Sequence, residues 1–467
     1  MLVFLALPLV AFAILVKVFA GYPQLYKMMP GSVVEGAKGS LIMPGIGVGI
    51  VEIVSLPKTG SRSRHINYVV PYPDSPDRLL YNDMTGTIGL VESGIARNQP
   101  FFDAKTVFDK RFMKGNLELG LISFAFHPDF AVPGSAGEGK IYTVHSEHPS
   151  MAYRDPTIPY FGLVDKEPHH LSVLSEWNVV LEEPVRIDDS SQRLVLVLEQ
   201  PFYDHNVYHI AFNTNSVLGD PDYGLLYVGV GNGGRNSRLE LDDKSLFGKI
   251  LRIEPLINVE PGYDIPMSNP YAESGGLRPE VWAYGLRNPQ QFSWDSISKH
   301  MYVVDIGHAN IEEVNIVRPG KNYGWSYFEG RYLITRESFD KVKTSWLPLA
   351  FFPVDFPVAD YDHTFGKAIA GGFVYWGMDI PELQGHYVFG DIVNGRLFYF
   401  DSRGIGPGDR AELYELNLFD KGNKTSMAAL VGSDRVDLRL ALDARGELLL
   451  VNKRDDKIRR ITQISGR

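Results

Sequence analysis

The chain of 467 residues carries 46 Lys and Arg against 56 Asp and Glu, a formal net charge of −10, and it has no cysteine. The missing cysteine excludes a disulfide scaffold, a thiolate zinc site, an iron–sulfur cluster and a cysteine nucleophile. The acidic balance disfavours general affinity for nucleic-acid phosphates, so no nucleic-acid partner is expected. A composition of 44% apolar and 22% charged residues is that of a globular protein rather than a disordered chain.

The first twenty residues differ from the rest. Residues 2–16 carry no charge, and Lys17 is the only charged residue before position 21. We predict a signal peptide or membrane anchor over residues 1–20, with a buried core strand as the alternative. The protein is then exported, periplasmic or extracellular, or anchored to the outer face of the membrane. Residues 21–60, rich in Gly and Pro from Met28 to Gly49, are predicted to be a linker or leading segment.

A recurring pattern runs through residues 61–467. Apolar residues surround an aromatic residue or Leu, and a small or acidic residue ends the run, as in Leu79–Asp83. Six such runs have anchors at Tyr81, Tyr142, Tyr227, Tyr302, Tyr387 and Leu449. Most lead into a second short apolar run, of which Lys249–Ile253 is an example.

These runs have the composition of β-strands that end in turns, and long amphipathic helices are hard to find. Six β-rich units in one chain predict an all-β fold, a six-bladed β-propeller with long inter-strand loops, over residues 61–467. Two packed β-domains are the alternative.

Gly229, Gly231 and Gly234 match the G-x-G-x-x-G pattern of dinucleotide-binding proteins. No helical apolar stripe follows, so the pattern lacks the helix N-terminus that holds a pyrophosphate, and we interpret it as a glycine-rich turn. His205, at the entrance of a predicted strand, is a candidate general base because histidine titrates near neutral pH. The alternative is a loop histidine that caps a turn.

A second group of polar residues lies between residues 287 and 325. Arg287, Asn288 and Gln290 suit a planar ligand that carries carboxylates, since guanidinium groups pair with carboxylates in a bidentate manner. Glu312 and Glu313, with loop carbonyls nearby, suit calcium, a cation that prefers oxygen ligands. The alternative is a solvated ion-pair loop, and spacing alone does not separate the two.

Residues 120–130, which read GLISFAFHPDF, resemble a signature of the glucose/sorbosone dehydrogenase family. Further segments resemble that family in the same order along roughly residues 70 to 465; they are 175–177, 226–234, 246–253, 280–289, 322–325, 361–363, 368–372 and 387–391.

The resemblance implies an exported propeller that oxidises sugars with pyrroloquinoline quinone (PQQ) and calcium; the electron acceptor is not defined. It implies that His205 removes the proton of a sugar hydroxyl while hydride passes to the quinone. By position, Asn232 supports this histidine, Glu118 and Arg287 approach the cofactor with Asn288 and Gln290 close by, and carbonyls of Gly307 and His308 hold its calcium. Glu313 and Tyr323 match positions that hold additional calcium in some members.

Three departures from the family pattern bear on these expectations. Tyr208 stands where members often have glycine, and its ring is expected to fill space that a flat cofactor needs. His209, which follows it, also departs from the family pattern. Asn232 replaces an aspartate, and an amide stabilises an imidazolium less than a carboxylate does. We find no match for a lysine that some members place on the quinone; Arg396 is the nearest basic residue.

The sequence therefore favours a PQQ- and calcium-dependent dehydrogenase acting on a sugar. Two alternatives stay open. The first is a propeller of this family that has lost the quinone and binds a ligand or a protein, as hedgehog-interacting relatives do. The second is a calcium-dependent lactonase-type hydrolase, which requires carboxylate and amide ligands around one metal.

Overall fold

The computed structural model describes residues 31–464, except 35, 58–62, 74, 115–117, 150–152, 154–157, 164–166, 235–237, 257–261, 274, 336–337, 339 and 346–347. The predicted signal peptide or anchor over residues 1–20 lies outside the described residues. The described part of the chain contains no helix that is both long and apolar enough to cross a membrane.

The fold is all-β, and its strands form antiparallel groups of four that follow each other along the chain. In the first group, β3 (Ile66–Tyr72), β4 (Ser75–Asp83), β5 (Thr87–Glu92) and β6 (Ile95–Ala96) pair in order, after the leading strands β1 (Val33–Val34) and β2 (Ile42–Ser55). The short strand β7 (Phe102–Asp103) also pairs with β5.

The second group pairs β8 (Leu121–Phe126), β9 (Lys140–Glu147), β11 (His170–Val180) and β13 (Arg193–Gln200), with short strands β10 (Tyr160–Phe161) and β12 (Arg186–Ile187) at its edges. The third consists of β14 (Val207–Phe212), β15 (Leu226–Val230), β16 (Lys249–Ile253) and β17 (Val281–Tyr284). The fourth consists of β18 (Pro289–Trp294), β19 (Met301–Asp305), β20 (Ile311–Val317) and β24 (Ala359–Asp362).

Between β20 and β24 the chain forms a separate small sheet from β21 (Phe328–Glu329), β22 (Tyr332–Ile334) and β23 (Val342–Lys343), to which β1 adds. The fifth group is β25 (Ile369–Tyr375), β26 (His386–Asp391), β27 (Leu397–Asp401) and β28 (Leu413–Asp420), with β29 (Asn423–Thr425) paired to β28. The sixth is β30 (Leu438–Leu442), β31 (Leu448–Asn452), β32 (Lys457–Thr462) and the leading strand β2.

Helices are short in the described ranges. The two α-helices are α1 (Ala104–Phe108), which Asp103 caps, and α2 (Met427–Val431), which Ser426 caps. Single 3₁₀ turns cover Asp109–Arg111, Leu239–Leu241, Leu349–Phe351 and Pro381–Leu383.

Strand β2 lies within residues 21–60, for which the sequence predicts a linker or leading segment, and it is part of the sheet rather than a free connection. Its first half, Ile42 to Gly49, pairs in parallel with β28, and its second half, Gly49 to Ser55, pairs antiparallel with β32. It therefore joins the fifth and sixth groups into one continuous sheet. Its apolar residues Val48 and Ile50 are buried in the core between those groups, which is why a segment rich in Gly and Pro still forms a strand here.

The first strand of each group contacts the first strand of the next, and β30 contacts β3, so these strands close a ring. The core lies between neighbouring groups: Trp177, for example, packs with Leu80 between the first two, and Tyr302 packs with Tyr387 between the fourth and fifth. The six predicted anchors all fall on the second strand of their group. The ring brings the starts of the first strands together, and the polar site is built there.

Candidate functional site

His205 precedes β14 and adopts a left-handed backbone conformation with φ of 56°. Its Nδ1 lies 2.6 Å from Asn232 Oδ1, and the backbone N–H of Gly234 donates to the same oxygen at 3.3 Å. Because this amide oxygen accepts from Gly234, it also accepts from His205, and Nδ1 carries the proton. The other ring nitrogen, Nε2, is then the basic atom. The predicted pairing of His205 with Asn232 is present in the structure.

The environment keeps His205 neutral. Its pKa is lowered to about 3, chiefly by burial and next by the positive charge of Arg287, while the hydrogen bond to Asn232 opposes the shift. The ring is therefore unprotonated at Nε2 at physiological pH, which is the form that a general base requires.

Both carboxylate oxygens of Glu118 accept hydrogen bonds from neighbouring parts of the chain. Its Oε2 accepts from the backbone N–H of His205 at 2.5 Å and of Asn206 at 3.3 Å. Its Oε1 accepts from the side-chain amides of Asn288 at 2.9 Å and Gln290 at 2.5 Å. Burial raises the pKa of Glu118, while the Asn288 amide lowers it. This carboxylate therefore ties the His205 loop to the start of β18.

Arg287 and Asn288 are held by Asp305. The backbone N–H groups of Arg287 and Asn288 donate to its two carboxylate oxygens at 2.8 and 2.5 Å. The Asn288 side chain faces the cavity described below, whereas Arg287 does not line it. Arg287 Nη1 instead donates to the carbonyls of Ile306 at 2.9 Å and Gly307 at 2.5 Å.

The predicted metal ligands make hydrogen bonds and ion pairs within the chain. The His308 ring pairs with Asp340 at 2.8 Å, and the Gly307 carbonyl accepts a hydrogen bond from Arg287. Glu313 accepts from Gly330 N–H at 3.0 Å, and the Tyr323 hydroxyl donates to a strand carbonyl, of Ile316. Within the described ranges no group of three His, Cys, Asp or Glu side chains is placed to hold a metal ion.

A cavity of about 360 Å³ opens at the end of the ring where the first strands begin. One side presents His205, Glu118, Asn288 and Gln290. The facing residues come from the sixth group and its loops and are mostly charged; they are Arg435, Asp437, Arg439, Lys453 and Arg454, with His65 beside them. Its volume falls in the range of small-molecule sites.

Arg439 is the most distinctive of these cations. It is 7% exposed, and its guanidinium donates to Leu438 O at 2.8 Å, Tyr208 Oη at 2.8 Å and Asn67 Oδ1 at 3.3 Å. All three partners are neutral, and in the part of the chain that the structure describes Arg439 forms no ion pair. No carboxylate of the described residues therefore balances the positive charge of Arg439 in an ion pair.

Tyr208 and His209 do not obstruct this cavity. They line a separate small cavity of about 10 Å³ within the ring, where Tyr208 also donates to Asn67 at 2.7 Å. The His209 ring packs edge-on against Tyr68 and Phe292. The tyrosine therefore fills the channel and holds Arg439, and the larger cavity keeps its volume.

The cations of the sixth group were missed by the sequence analysis. Arg396, the nearest basic residue considered there, instead pairs with Glu415 at 2.6 Å. A signal was available, because Arg439 is the second residue of the first strand in the sixth repeat. Gln290 has the same place in the fourth repeat and also lines the cavity.

The structure is a closed ring of β-strand groups with a histidine and several basic side chains around a cavity at one end. The chain belongs to the glucose / sorbosone dehydrogenase family, whose model matches residues 68–415.

Relatives of two kinds share this family likeness. The chain is 29% identical to the HIPL1 protein of Arabidopsis thaliana over 73% of its own length and 52% of that protein. It is 27% identical to the Hedgehog-interacting protein of Mus musculus, over 68% of this chain and 40% of that protein. The chain thus spans about half the length, or less, of these curated relatives.

Solved structures share the fold. The PQQ-bound form of an aldose sugar dehydrogenase from Streptomyces coelicolor superposes with a TM-score of 0.57 at 19% identity, covering 90% of this chain and 99% of that one. At this identity the likeness establishes the fold alone.

Proposed function

We propose that the protein is a PQQ-dependent sugar dehydrogenase on a six-bladed β-propeller, with His205 as the general base. The observation that carries the proposal is a single cavity that presents both neutral His205 and buried Arg439, which forms no ion pair with any residue that the structure describes. A neutral histidine suits proton removal from a hydroxyl, and a buried guanidinium suits a ligand that carries carboxylates. The six strand groups and their ring of first strands support the six-bladed architecture.

The residues present fit a polycarboxylate quinone. Arg439 supplies positive charge on one wall, and the facing wall supplies the base. A bound PQQ supplies a two-electron acceptor for the hydride of the sugar carbon. The chain contributes the rest: His205 Nε2 accepts the hydroxyl proton, Asn232 holds the ring in the required tautomer, and Glu118 fixes the loop that carries the base.

Calcium fits less well, because the carbonyl of Gly307 already accepts from Arg287. No carboxylate cluster replaces it in the described ranges. For the same reason no observation favours the lactonase-type hydrolase, which needs several carboxylates around one metal. Export, or anchoring to the membrane through residues 1–20, is part of the proposal and is supported by the uncharged run at residues 2–16.

The test is titration of the purified chain with PQQ by calorimetry, followed by dye reduction over a panel of sugars. We expect micromolar or tighter binding and sugar-dependent dye reduction. His205→Ala should bind PQQ with similar affinity and lose turnover, whereas His148→Ala, which removes an exposed histidine, should behave as the parent chain. A chain that binds no PQQ, or a His205→Ala variant that retains turnover, contradicts the proposal.

A second candidate is a binding module that uses the same cavity without quinone chemistry. The likeness to a Hedgehog-interacting protein over 68% of this chain favours it. The partner would then be a protein whose acidic or carboxylate-bearing segment enters the cationic wall. The two candidates separate in the PQQ titration, because the binding module predicts no saturable uptake of the quinone.

A further inference from the structure

The loop between β19 and β20 turns its first carbonyls toward one cation that belongs to the chain. Arg287 Nη1 donates to Ile306 O at 2.9 Å and to Gly307 O at 2.5 Å. Arg287 Nη2 lies 3.3 Å from His308 Nδ1, and the guanidinium carbon lies 5.4 Å from the centre of the Trp325 ring. One side chain thus engages two consecutive carbonyls and the histidine that follows them.

The loop is fixed in this shape from its other side. Glu329 Oε1 accepts from four consecutive backbone N–H groups, of His308, Ala309, Asn310 and Ile311, at 2.7 to 3.1 Å. Glu312 accepts from the N–H of Gly307 at 3.2 Å. Because the carboxylates take the N–H groups, the carbonyls of Ile306 and Gly307 stay directed at Arg287.

Room at Gly307 is also limited by the backbone. A Cβ added there would lie 1.7 Å from the carbonyl oxygen of Ile311, so this loop is closed on itself. The only cationic group in contact with both carbonyls, among the described residues, is the Arg287 guanidinium.

A calcium ion requires six to eight oxygen ligands at roughly 2.3 to 2.6 Å. An ion bound to the Gly307 carbonyl at that distance would lie next to a guanidinium nitrogen that is itself 2.5 Å from the same oxygen. Two cations at this separation repel each other, and the nitrogen also occupies the space. The donors therefore do not fit calcium while Arg287 holds this position.

We propose that Arg287 takes the place of a metal ion at the Ile306–Gly307 carbonyls, so that the cavity binds its anionic ligand without calcium. The first part of this inference, the metal arm, is that no calcium binds at the loop, and it depends only on the loop geometry. The second part, the quinone arm, is that PQQ binds without calcium, and it rests on the proposed function. The metal arm replaces the expectation that carbonyls of Gly307 and His308 hold calcium.

The metal arm uses terbium, a luminescent substitute for calcium that tryptophan excites at short range. Trp325 lies against Arg287, so an ion at the carbonyls would be sensitised by it. We expect the parent chain and Trp325→Phe to give the same terbium signal, and Trp376→Phe, which removes a tryptophan that binds Asp295, serves as the matched control. A saturable signal that calcium displaces and that only Trp325→Phe removes overturns the inference.

The quinone arm measures the affinity for PQQ by calorimetry in a chelator and in excess calcium. Equal affinity within about twofold supports the inference, and a loss of about tenfold or more in the chelator overturns it. Absence of PQQ binding in both buffers contradicts the proposed function instead, and the terbium comparison still decides whether a metal occupies the loop.

Discussion

Replacing Asn232 by aspartate should convert His205 from a weak base into one that titrates near neutral pH. Asn232 Oδ1 lies 2.6 Å from His205 Nδ1, and burial holds the pKa of the ring at about 3. A carboxylate there places a negative charge roughly 4 Å from the centre of the imidazolium. At an effective dielectric of about 20 this is worth ~4 kcal/mol, or ~3 pKa units, so the pKa should move towards ~6.

The assay is an NMR titration of histidine ring resonances in the purified chain, with the His205 signal assigned by its loss in His205→Gln. Asn423→Asp is the control, because it makes the same change of net charge at an exposed residue of β29. It should leave the His205 pKa where it is. If the His205 pKa rises by less than about one unit in Asn232→Asp, a carboxylate at this position does not act on the ring as the distance implies, and the reasoning is refuted.

Three further predictions concern stability. Glu118→Gln places an NH₂ group against N–H groups that now donate to the carboxylate, and should lower the free energy of unfolding in urea by about 2–4 kcal/mol. An unchanged urea midpoint would show that these hydrogen bonds do not stabilise the fold. Gly231→Ala places a Cβ 2.5 Å from the His205 carbonyl and should lower the free energy of unfolding by ~1–3 kcal/mol. Gly406→Ala is the control, because the nearest atom to its Cβ is 3.5 Å away. Equal melting temperatures of the two variants would contradict the prediction. Burial lowers the His209 pKa to about 3, so as pH falls below ~6.5 the unfolded chain binds a proton that the folded chain does not. This residue should therefore lower the free energy of unfolding by ~1.4 kcal/mol for each pH unit. His209→Phe should make the dependence of stability on pH less steep, and an unaltered dependence would contradict the prediction.

The strand framework was accessible from sequence because it depends on local patterns. Tyr227 and Tyr302 mark second strands since such strands are buried on both faces and read as continuous apolar runs between turns. Strand β2 was not accessible in this way. Its glycines and prolines favour a linker by composition, and its pairing with β28 and β32 depends on residues more than 350 positions away. No local pattern carries that information.

The site was predictable in part for a related reason. His205 and Asn232 belong to one segment of 28 residues, and a recognisable motif surrounds each. Arg439 contacts Tyr208 across a sequence separation of 231, so only closure of the ring brings the two together. The hydrogen-bond partners of a polar side chain were likewise undetermined: Glu118, expected to approach a cofactor, lines the cavity and also accepts hydrogen bonds from the chain itself.

Net charge describes the surface of this protein and not its cavity. The chain carries a net charge of −10, which argues against binding anions in general. Inside the cavity Asp437 pairs with Arg435 at 2.8 Å and with Arg454 at 2.5 Å, so one carboxylate balances part of the charge of two guanidinium groups. Arg439 is excluded from that pairing by its position beside Tyr208, where neutral oxygens hold it. A guanidinium without a carboxylate partner acts on a ligand at short range more strongly than a dispersed surface charge that salt screens, so the proposed binding of an anion is compatible with an acidic protein.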